Sequence, residues 1–310
     1  MSFSGDFFLM VAVVHKIIET LKFSWYHYKK ENSNTVNLVN SAFQLQCVFR
    51  ENKYMKKLLY TIVLLIAVLI IPAQPAHAQS HWYTKDPIIR HGGGRIGNKN
   101  AKNTVSAFKN SAKKGYTVIE MDFGYTSDGV LVCNHDWKTG IQTYKQFRKI
   151  RVSNKYRPAS AREVIRLMAA YPKVYLVVDA KESDNIVKVY QELKNICYTL
   201  NVPKVMDRII PQFYQQSELS QLKKIYNYKD YIFTLYRLNV KTPSQYVKIA
   251  KFCKKNHINV VTIPKGRVTS KVVKYLKKYK IKVYTHTVNY QGQWEKYRAM
   301  GVSGIYSDAL

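Results

Sequence analysis

Two carboxylates stand two residues apart in an apolar segment of the sequence, Glu120-Met121-Asp122. Alternate side chains of a β-strand share a face, which would place these residues about 6.5–7 Å apart at the backbone. Two like charges this close need a cation, and oxygen donors without a paired Cys or His favour Mg²⁺ or Ca²⁺. Asp179 ends another apolar segment and is the natural third ligand. An isolated Glu-x-Asp is more often a surface pair or salt bridge, but the third carboxylate favours a divalent-cation site.

Two histidines, His91 and His135, each follow an apolar segment, on either side of this carboxylate pair along the chain. A single histidine at such a position more often packs or caps than catalyses. Two imidazoles together supply what phosphodiester cleavage requires, because one takes a proton from the nucleophile and the other protonates the leaving oxygen. Such help contributes about 10²–10⁴-fold to a rate. Lys181, two residues after Asp179, can neutralise a phosphate oxygen or act as a counter-ion to Asp179 or Glu182.

Short apolar segments alternate with amphipathic segments over residues 80–310. The apolar segments predict strands at Ile88–His91, Thr117–Asp122, Leu131–His135, Val174–Asp179, Ile209–Pro211, Tyr231–Leu235, Val260–Ile263, Lys282–Thr287 and Gly304–Tyr306. Helices are predicted after Asn103-Thr104, after the Ser160/Glu163 capping box, and over Asp184–Leu200, Ser217–Tyr226, Pro243–Asn256, Thr269–Tyr279 and Gln291–Met300.

This alternation predicts an α/β fold, a (β/α)₈ TIM barrel of about 230 residues. The connection from Asp122 to Leu131 is too short for a crossover helix, so one of the predicted strands should form a hairpin outside the barrel. A doubly wound open sheet is the alternative, although His91-Gly92-Gly93-Gly94-Arg95 does not match its G-x-G-x-x-G turn. In a barrel, functional side chains gather at the C-terminal ends of the strands, which is where the carboxylates and histidines fall.

The chain has 310 residues and a formal charge of +31, with 46% hydrophobic residues. This hydrophobic content excludes wholesale disorder, and residues 79–310 alone carry +27. A basic surface is compatible with nucleic acid, anionic lipid or an anionic cell-wall polymer, or is simply a solvated cationic face. We expect an anionic membrane or cell-wall polymer surface as partner, and no nucleic acid. Cys133, Cys197 and Cys253 lack the spacing of a zinc site or disulfide framework and are expected to be buried thiols.

An export signal is predicted at residues 55–78. Met55-Lys56-Lys57 precedes a 14-residue, largely apolar run, Leu58–Ile71, and Ala76-His77-Ala78 offers a small-x-small cleavage site. Residues 1–54 are then a non-native or disordered extension from a misassigned start, and residues 79–310 form the barrel. The protein is expected to be secreted, or membrane-anchored if residues 55–78 act as an uncleaved signal-anchor.

A series of spaced motifs resembles the glycerophosphodiester phosphodiesterase family and covers residues 88–308. The similar motifs are His91-Gly92-Gly93, Asn103-Thr104, Ala107-Phe108, Gly115, Ile119-Glu120-Met121-Asp122, Thr126, Asp128-Gly129, His135-Asp136, Asp179-Ala180-Lys181, Thr287-Val288-Asn289, Gly301–Ile305 and Ser307-Asp308. The resemblance implies a TIM barrel that hydrolyses glycerophosphodiesters to glycerol phosphate and an alcohol with a divalent metal. It implies acid–base roles for His91 and His135 and metal ligation by Glu120, Asp122 and the carboxylate on the later strand.

Further residues are expected to have supporting roles. Asn103, Asp136 and Asn289 are expected to support the site residues, while Lys181 and Arg95 bind the substrate phosphate. Arg95 is proposed for this role because the family usually has Arg directly after the first His, where this chain has Gly92. Three other departures are Lys102 for a family Glu, Asp179 for a longer Glu, and His286 for a family Trp.

Two other functions fit the same residues. Glu120-x-Asp122 with Asp179-x-Lys181 also resembles the sphingomyelinase D-like phospholipases, which share the barrel. A non-catalytic binder of anionic cell-wall polymer would keep the fold and the basic surface, although the intact histidine pair argues against it. The substrate would in either catalytic case be a small-molecule or lipid-derived phosphodiester.

Overall fold

Strands and helices alternate through the described part of the computed structural model, which covers residues 81–84, 87–135, 143–181 and 186–310. The strands are β1 Ile88–Arg90, β2 Val118–Tyr125, β3 Leu131–Cys133, β4 Tyr175–Ala180, β5 Ile209–Phe213, β6 Ile232–Thr234, β7 Val260–Pro264, β8 Lys282–His286 and β9 Gly304–Ser307. The helices are α1 Val105–Lys113, α2 Tyr144–Phe147, α3 Ala161–Ala170, α4 Ile186–Thr199, α5 Gln216–Ile225, α6 Pro243–Lys255, α7 Ser270–Lys277 and α8 Gln291–Ala299. Every predicted strand is present, although β2 continues to Tyr125 and β3 ends at Cys133.

Eight parallel strands close into a barrel. Their order is β1, β9, β8, β7, β6, β5, β4, β2, and the pairing of Arg90 in β1 with Ile119 in β2 closes the ring. The remaining strand, β3, pairs antiparallel with β2 and lies outside the ring. The predicted (β/α)₈ barrel and its outlying hairpin strand are therefore confirmed, and the open-sheet alternative is wrong.

The inside of the barrel is filled by apolar side chains from successive strands, which are Ile89, Val118, Val177, Ile210, Ile232, Val260, Tyr284 and Tyr306. Trp82, in a short 3₁₀ turn before β1, is 3% exposed and packs with this cluster, its ring 5.4 Å from that of Tyr284. Val118, Ile232 and Val260 are the first residues of their strands, so Trp82 closes the N-terminal end of the barrel. The opposite, C-terminal end remains for polar residues.

The local signals that start helices act as the sequence predicts. Ser160 and Glu163 exchange the two hydrogen bonds of a capping box at the start of α3. The Thr104 hydroxyl accepts a hydrogen bond from the Ala107 amide and begins α1, which fixes the position of Asn103 just before it. The thiols of Cys133, Cys197 and Cys253 are free and buried, as predicted.

Some predictions fall outside the described residues. These are the extension at residues 1–54, the signal segment at residues 55–78, and Asp136. Of the helices that the structure describes, none is both long and apolar enough to cross a membrane.

Candidate active site

The three predicted carboxylates meet at the C-terminal end of the barrel. Glu120 and Asp122 lie on β2, and Asp122 is directly opposite Asp179 on the neighbouring strand β4. All three are buried, and one oxygen of each lies within 4.8 Å of the others. The alternation of side chains along β2 places both of its acids on the inner face, as the sequence predicts.

Each carboxylate is held by a hydrogen-bond donor from outside its own strand. The Gly92 amide donates to Glu120 Oε2 at 2.6 Å. The Asn103 side chain donates to Asp122 Oδ2 at 2.6 Å, and its carbonyl accepts from the Asp122 amide at 3.0 Å. The Tyr214 hydroxyl donates to Asp179 Oδ1. The structure therefore places the predicted support residue Asn103 against the carboxylates and adds Tyr214, which sequence reasoning missed.

Lys181 contacts two of the three acids. Its Nζ lies 3.0 Å from Asp179 Oδ2 and also contacts Asp122 Oδ1. One ammonium cannot balance three buried carboxylates, since an uncompensated buried charge is costly. Carboxylate oxygens that converge within 4.8 Å are the hard donors that Mg²⁺ and Ca²⁺ prefer, so the residues present fit a divalent cation.

The carboxyl pKa values show the same excess of negative charge. Burial raises the pKa of Glu120, and the nearby charge of Asp122 raises it further. Burial also works against ionisation of Asp122. There, however, the charge of Lys181, the charge of His91 and the Asn103 hydrogen bond together hold the pKa below its usual range.

The two predicted histidines lie together beside the carboxylates. Their ring centroids are 6.5 Å apart, and the rings are nearly perpendicular at 88°. His91 Nδ1 donates to Asp308 Oδ1 at 2.7 Å. Asp308 Oδ2 accepts from the Asn289 side chain at 2.9 Å, and Asn289 Oδ1 accepts from the Asp308 amide at 2.8 Å. Asn289 thus fixes Asp308, and Asp308 fixes the His91 ring with its Nε2 turned away from the carboxylate.

The environments of the two rings shift their pKa values in opposite directions. Burial alone would lower the pKa of His91, but the Asp308 hydrogen bond and the charges of Glu120 and Asp122 outweigh burial and raise it. Partial burial lowers the pKa of His135, and no carboxylate in the described part of the chain is hydrogen-bonded to its ring. Opposite shifts of this kind suit one acid and one base.

Not every predicted residue reaches the cluster. The Arg95 amide donates to the Asp308 carbonyl at 2.8 Å, but among the described residues no hydrogen bond or ion pair joins its guanidinium to the carboxylates or histidines. Asp308 is the main residue that sequence reasoning did not assign. The available signal was its position directly after the last strand, at the same end of the barrel as the other acids.

A match to a known family agrees with this geometry. The model of the glycerophosphoryl diester phosphodiesterase family matches residues 95–310, a range that contains the three carboxylates and His135 and begins just after His91. The chain belongs to this family. It is accordingly a phosphoric diester hydrolase, and the resemblance seen in the sequence is confirmed.

Individual relatives are distant in sequence. A proposed glycerophosphodiester phosphodiesterase of Bacillus subtilis (strain 168), YhdW, is 22% identical over 225 residues, covering 67% of this chain and 88% of the relative. The crystal structure of a proposed glycerophosphodiester phosphodiesterase from Galdieria sulphuraria is similar with a TM-score of 0.60 at 16% identity, covering 71% and 93% of the two chains. An Oleispira antarctica phosphodiesterase in complex with the product sn-glycerol-3-phosphate has a TM-score of 0.58 at 14% identity, covering 72% and 93%. These structures support the fold.

Proposed function

We propose that the protein is an exported, divalent-metal-dependent phosphodiesterase that hydrolyses glycerophosphodiesters to glycerol phosphate and an alcohol. The observation that carries the proposal is the buried cluster of Glu120, Asp122 and Asp179 beside the paired rings of His91 and His135. The glycerol phosphate bound by the Oleispira antarctica phosphodiesterase is the product expected here.

The two histidines divide the proton transfers. His135 is exposed and favours the neutral form, so it accepts the proton of the attacking hydroxyl. His91 is hydrogen-bonded to Asp308, which stabilises the imidazolium, so it donates a proton to the leaving alcohol oxygen. The attacking hydroxyl belongs to the glycerol of the substrate, so loss of the alcohol leaves a cyclic glycerol phosphate. Water then opens this ring: His91, now neutral, takes a proton from the water, and His135 returns its proton to the hydroxyl oxygen, so both histidines regain their starting forms.

Glu120, Asp122 and Asp179 are the residues that would hold the metal. When bound, a Mg²⁺ or Ca²⁺ ion would neutralise charge on the phosphoryl oxygens. Asn103 and Tyr214 hold two of these carboxylates in fixed rotamers, which reduces the reorganisation needed on binding. Lys181 contributes a positive charge at the same place, in contact with Asp122 and Asp179.

Export is proposed from the sequence of residues 55–78. The basic charge of residues 79–310 would suit anionic substrates, such as deacylated phospholipids or glycerol-phosphate wall polymers, at a membrane or wall surface. Mass spectrometry of protein secreted by the native cell tests this part. We expect a mature N-terminus at or near Gln79, and a chain that keeps residues 55–78 would instead be anchored.

A substrate panel tests the catalytic part. Purified protein is incubated with glycerophosphocholine, other glycerophosphodiesters, lysolipids and intact lipid vesicles, each with Mg²⁺, Ca²⁺ or EDTA. Release of glycerol phosphate from soluble diesters, abolished by EDTA, is the expected result. Choline release confined to vesicles would indicate a sphingomyelinase D-like enzyme. Polymer binding that survives both EDTA and His135→Ala, without turnover of any substrate, would indicate a non-catalytic binder.

A further inference from the structure

Lys102 packs against the turn that follows β1, close to Asp308. A β-carbon on Gly92 would come within 2.7 Å of Lys102 Cβ, so the absence of a side chain at Gly92 makes room for the lysine. The Lys102 side chain is 25% exposed, and its Nζ lies 3.7 Å from Asp308 Oδ1, the atom that accepts from His91. The positive charge of Lys102 opposes protonation of both His91 and His135.

Two other cations near the site are bound to partners. Lys181 contacts two carboxylates. Arg90 is 3% exposed, and its guanidinium donates to the Asp308 carbonyl at 3.0 Å and to the Ser111 hydroxyl at 3.4 Å. Both are therefore held in place by groups of the protein itself.

The contact of Lys102 is looser. At 3.7 Å its ammonium is beyond hydrogen-bond distance of Asp308, whose oxygens already accept from His91 and Asn289. A flexible four-carbon stem lets the ammonium move by an ångström or so without breaking a hydrogen bond. Lys102 can therefore turn to an anion that enters between the two histidines.

We propose that Lys102 binds a non-bridging phosphate oxygen of the substrate and of the glycerol phosphate product. This inference rests on the proposed function. The phosphodiester carries a negative charge toward three carboxylates, so a cation on the histidine side reduces the repulsion that accompanies binding. The alternative is that Lys102 is only a counter-ion of Asp308 and acts by positioning His91.

Two measurements on Lys102→Ala separate these roles. We expect KM and the inhibition constant for glycerol 3-phosphate each to rise about 10- to 100-fold, the effect of losing one charge-assisted hydrogen bond, while kcat changes less than about threefold. Lys102→Arg should restore most of the binding because it keeps the charge. Lys99→Ala, an exposed lysine in the same loop, is the matched control and should leave all three constants unchanged.

Other outcomes overturn the inference. If kcat falls and glycerol 3-phosphate binds as in the wild type, Lys102 positions His91 and does not bind phosphate. If kcat, KM and the inhibition constant are all unchanged, Lys102 has neither role. Calorimetric binding of glycerol 3-phosphate to wild type, Lys102→Ala and Lys102→Gln keeps the test independent of turnover. If the wild type hydrolyses none of the diesters, the proposed function fails, and equal binding of the ligand by all three proteins would still overturn the role of Lys102.

Discussion

Replacing Asp308 with Asn is the most direct test of how the orientation and tautomer of His91 are fixed. The carboxylate accepts two hydrogen bonds, from His91 Nδ1 at 2.7 Å and from Asn289 Nδ2 at 2.9 Å. An amide of the same shape has one acceptor and one donor end, so it cannot accept from both. With its oxygen toward His91, its NH₂ group faces the NH₂ group of Asn289. With its NH₂ group toward His91, the imidazole must take the other tautomer, and Nε2 then carries the proton.

The size of the effect follows from these two orientations. In the first, the site loses the charge on the acceptor and one hydrogen bond, and bonds to charged groups contribute about 1.5–3 kcal/mol. That loss in the transition state lowers kcat about 10- to 100-fold. In the second, His91 is fixed in the wrong tautomer, and the comparable change in a serine protease lowers kcat about 10⁴-fold. We therefore expect kcat to fall at least about tenfold and KM to change little, because the phosphate ligands are retained.

Steady-state kinetics on glycerophosphocholine with saturating metal measures both constants. Asp207→Asn is the matched control, since Asp207 also accepts a hydrogen bond, from the Tyr226 hydroxyl at 2.6 Å, but is not part of the site. Metal affinity by calorimetry should be unchanged in Asp308→Asn, because Asp308 is not one of the three clustered carboxylates. A kcat within about threefold of wild type would refute the role given to Asp308, and a loss of metal affinity would move its role to the metal site.

Three further changes test other parts of the structure. Glu120→Gln should abolish most metal-dependent turnover and weaken metal binding in calorimetry, and near-normal turnover would show that Glu120 binds no metal. The metal-free protein should be at least as stable, because burial and the charge of Asp122 already disfavour ionisation of Glu120. Trp82→Ala should cost about 3–5 kcal/mol in urea unfolding by opening a cavity at the closed end of the barrel, and a cost under about 1 kcal/mol would refute that packing role. Burial raises the pKa of Asp230 to about 6, so the folded state binds this proton more tightly than the unfolded state. The stability that this proton contributes is present at acid pH and lost as the pH rises through about 6, by at most about 3 kcal/mol. The urea-unfolding free energy of wild type, relative to Asp230→Asn, should therefore decrease from pH 4 to pH 7, and a difference that stays flat would refute the shift. The titratable groups around this carboxyl are His81, Tyr83, Tyr175 and Lys229.

The barrel could be predicted from the sequence because it repeats one local pattern. Most barrel strands are short and apolar and are followed by an amphipathic helix, and this alternation can be recognised without knowing any long-range contact. The short connection after Asp122 likewise excludes a crossover helix and indicates that one strand lies outside the ring, which the structure shows to be β3. The acids Glu120, Asp122 and Asp179 were predictable for a related reason. Parallel strands bring their C-terminal ends together, so residues at those ends become neighbours.

The residues that were missed depend on contacts between strands distant in sequence. Asp308 reaches His91 only because β9 pairs with β1, which joins the two ends of the domain. Tyr214 reaches Asp179 from the turn after β5, and one residue of difference in register would point its hydroxyl elsewhere. The packing role of Trp82 could not be predicted for another reason. A single aromatic residue before the first strand does not indicate which end of a barrel it will close.

The turn after β1 connects the carboxylate cluster to the histidine side of the site. His91 itself is held by Asp308, while the next residue, Gly92, donates its amide to Glu120 and accepts from the Asn103 amide at 2.7 Å. Asn103 in turn holds Asp122. Gly92 has a φ of +56°, a left-handed conformation that glycine adopts without strain. Because one glycine turn carries His91 and, directly or through Asn103, positions two carboxylates, the spacing between His91 and the carboxylate cluster is set by the backbone rather than by flexible side chains.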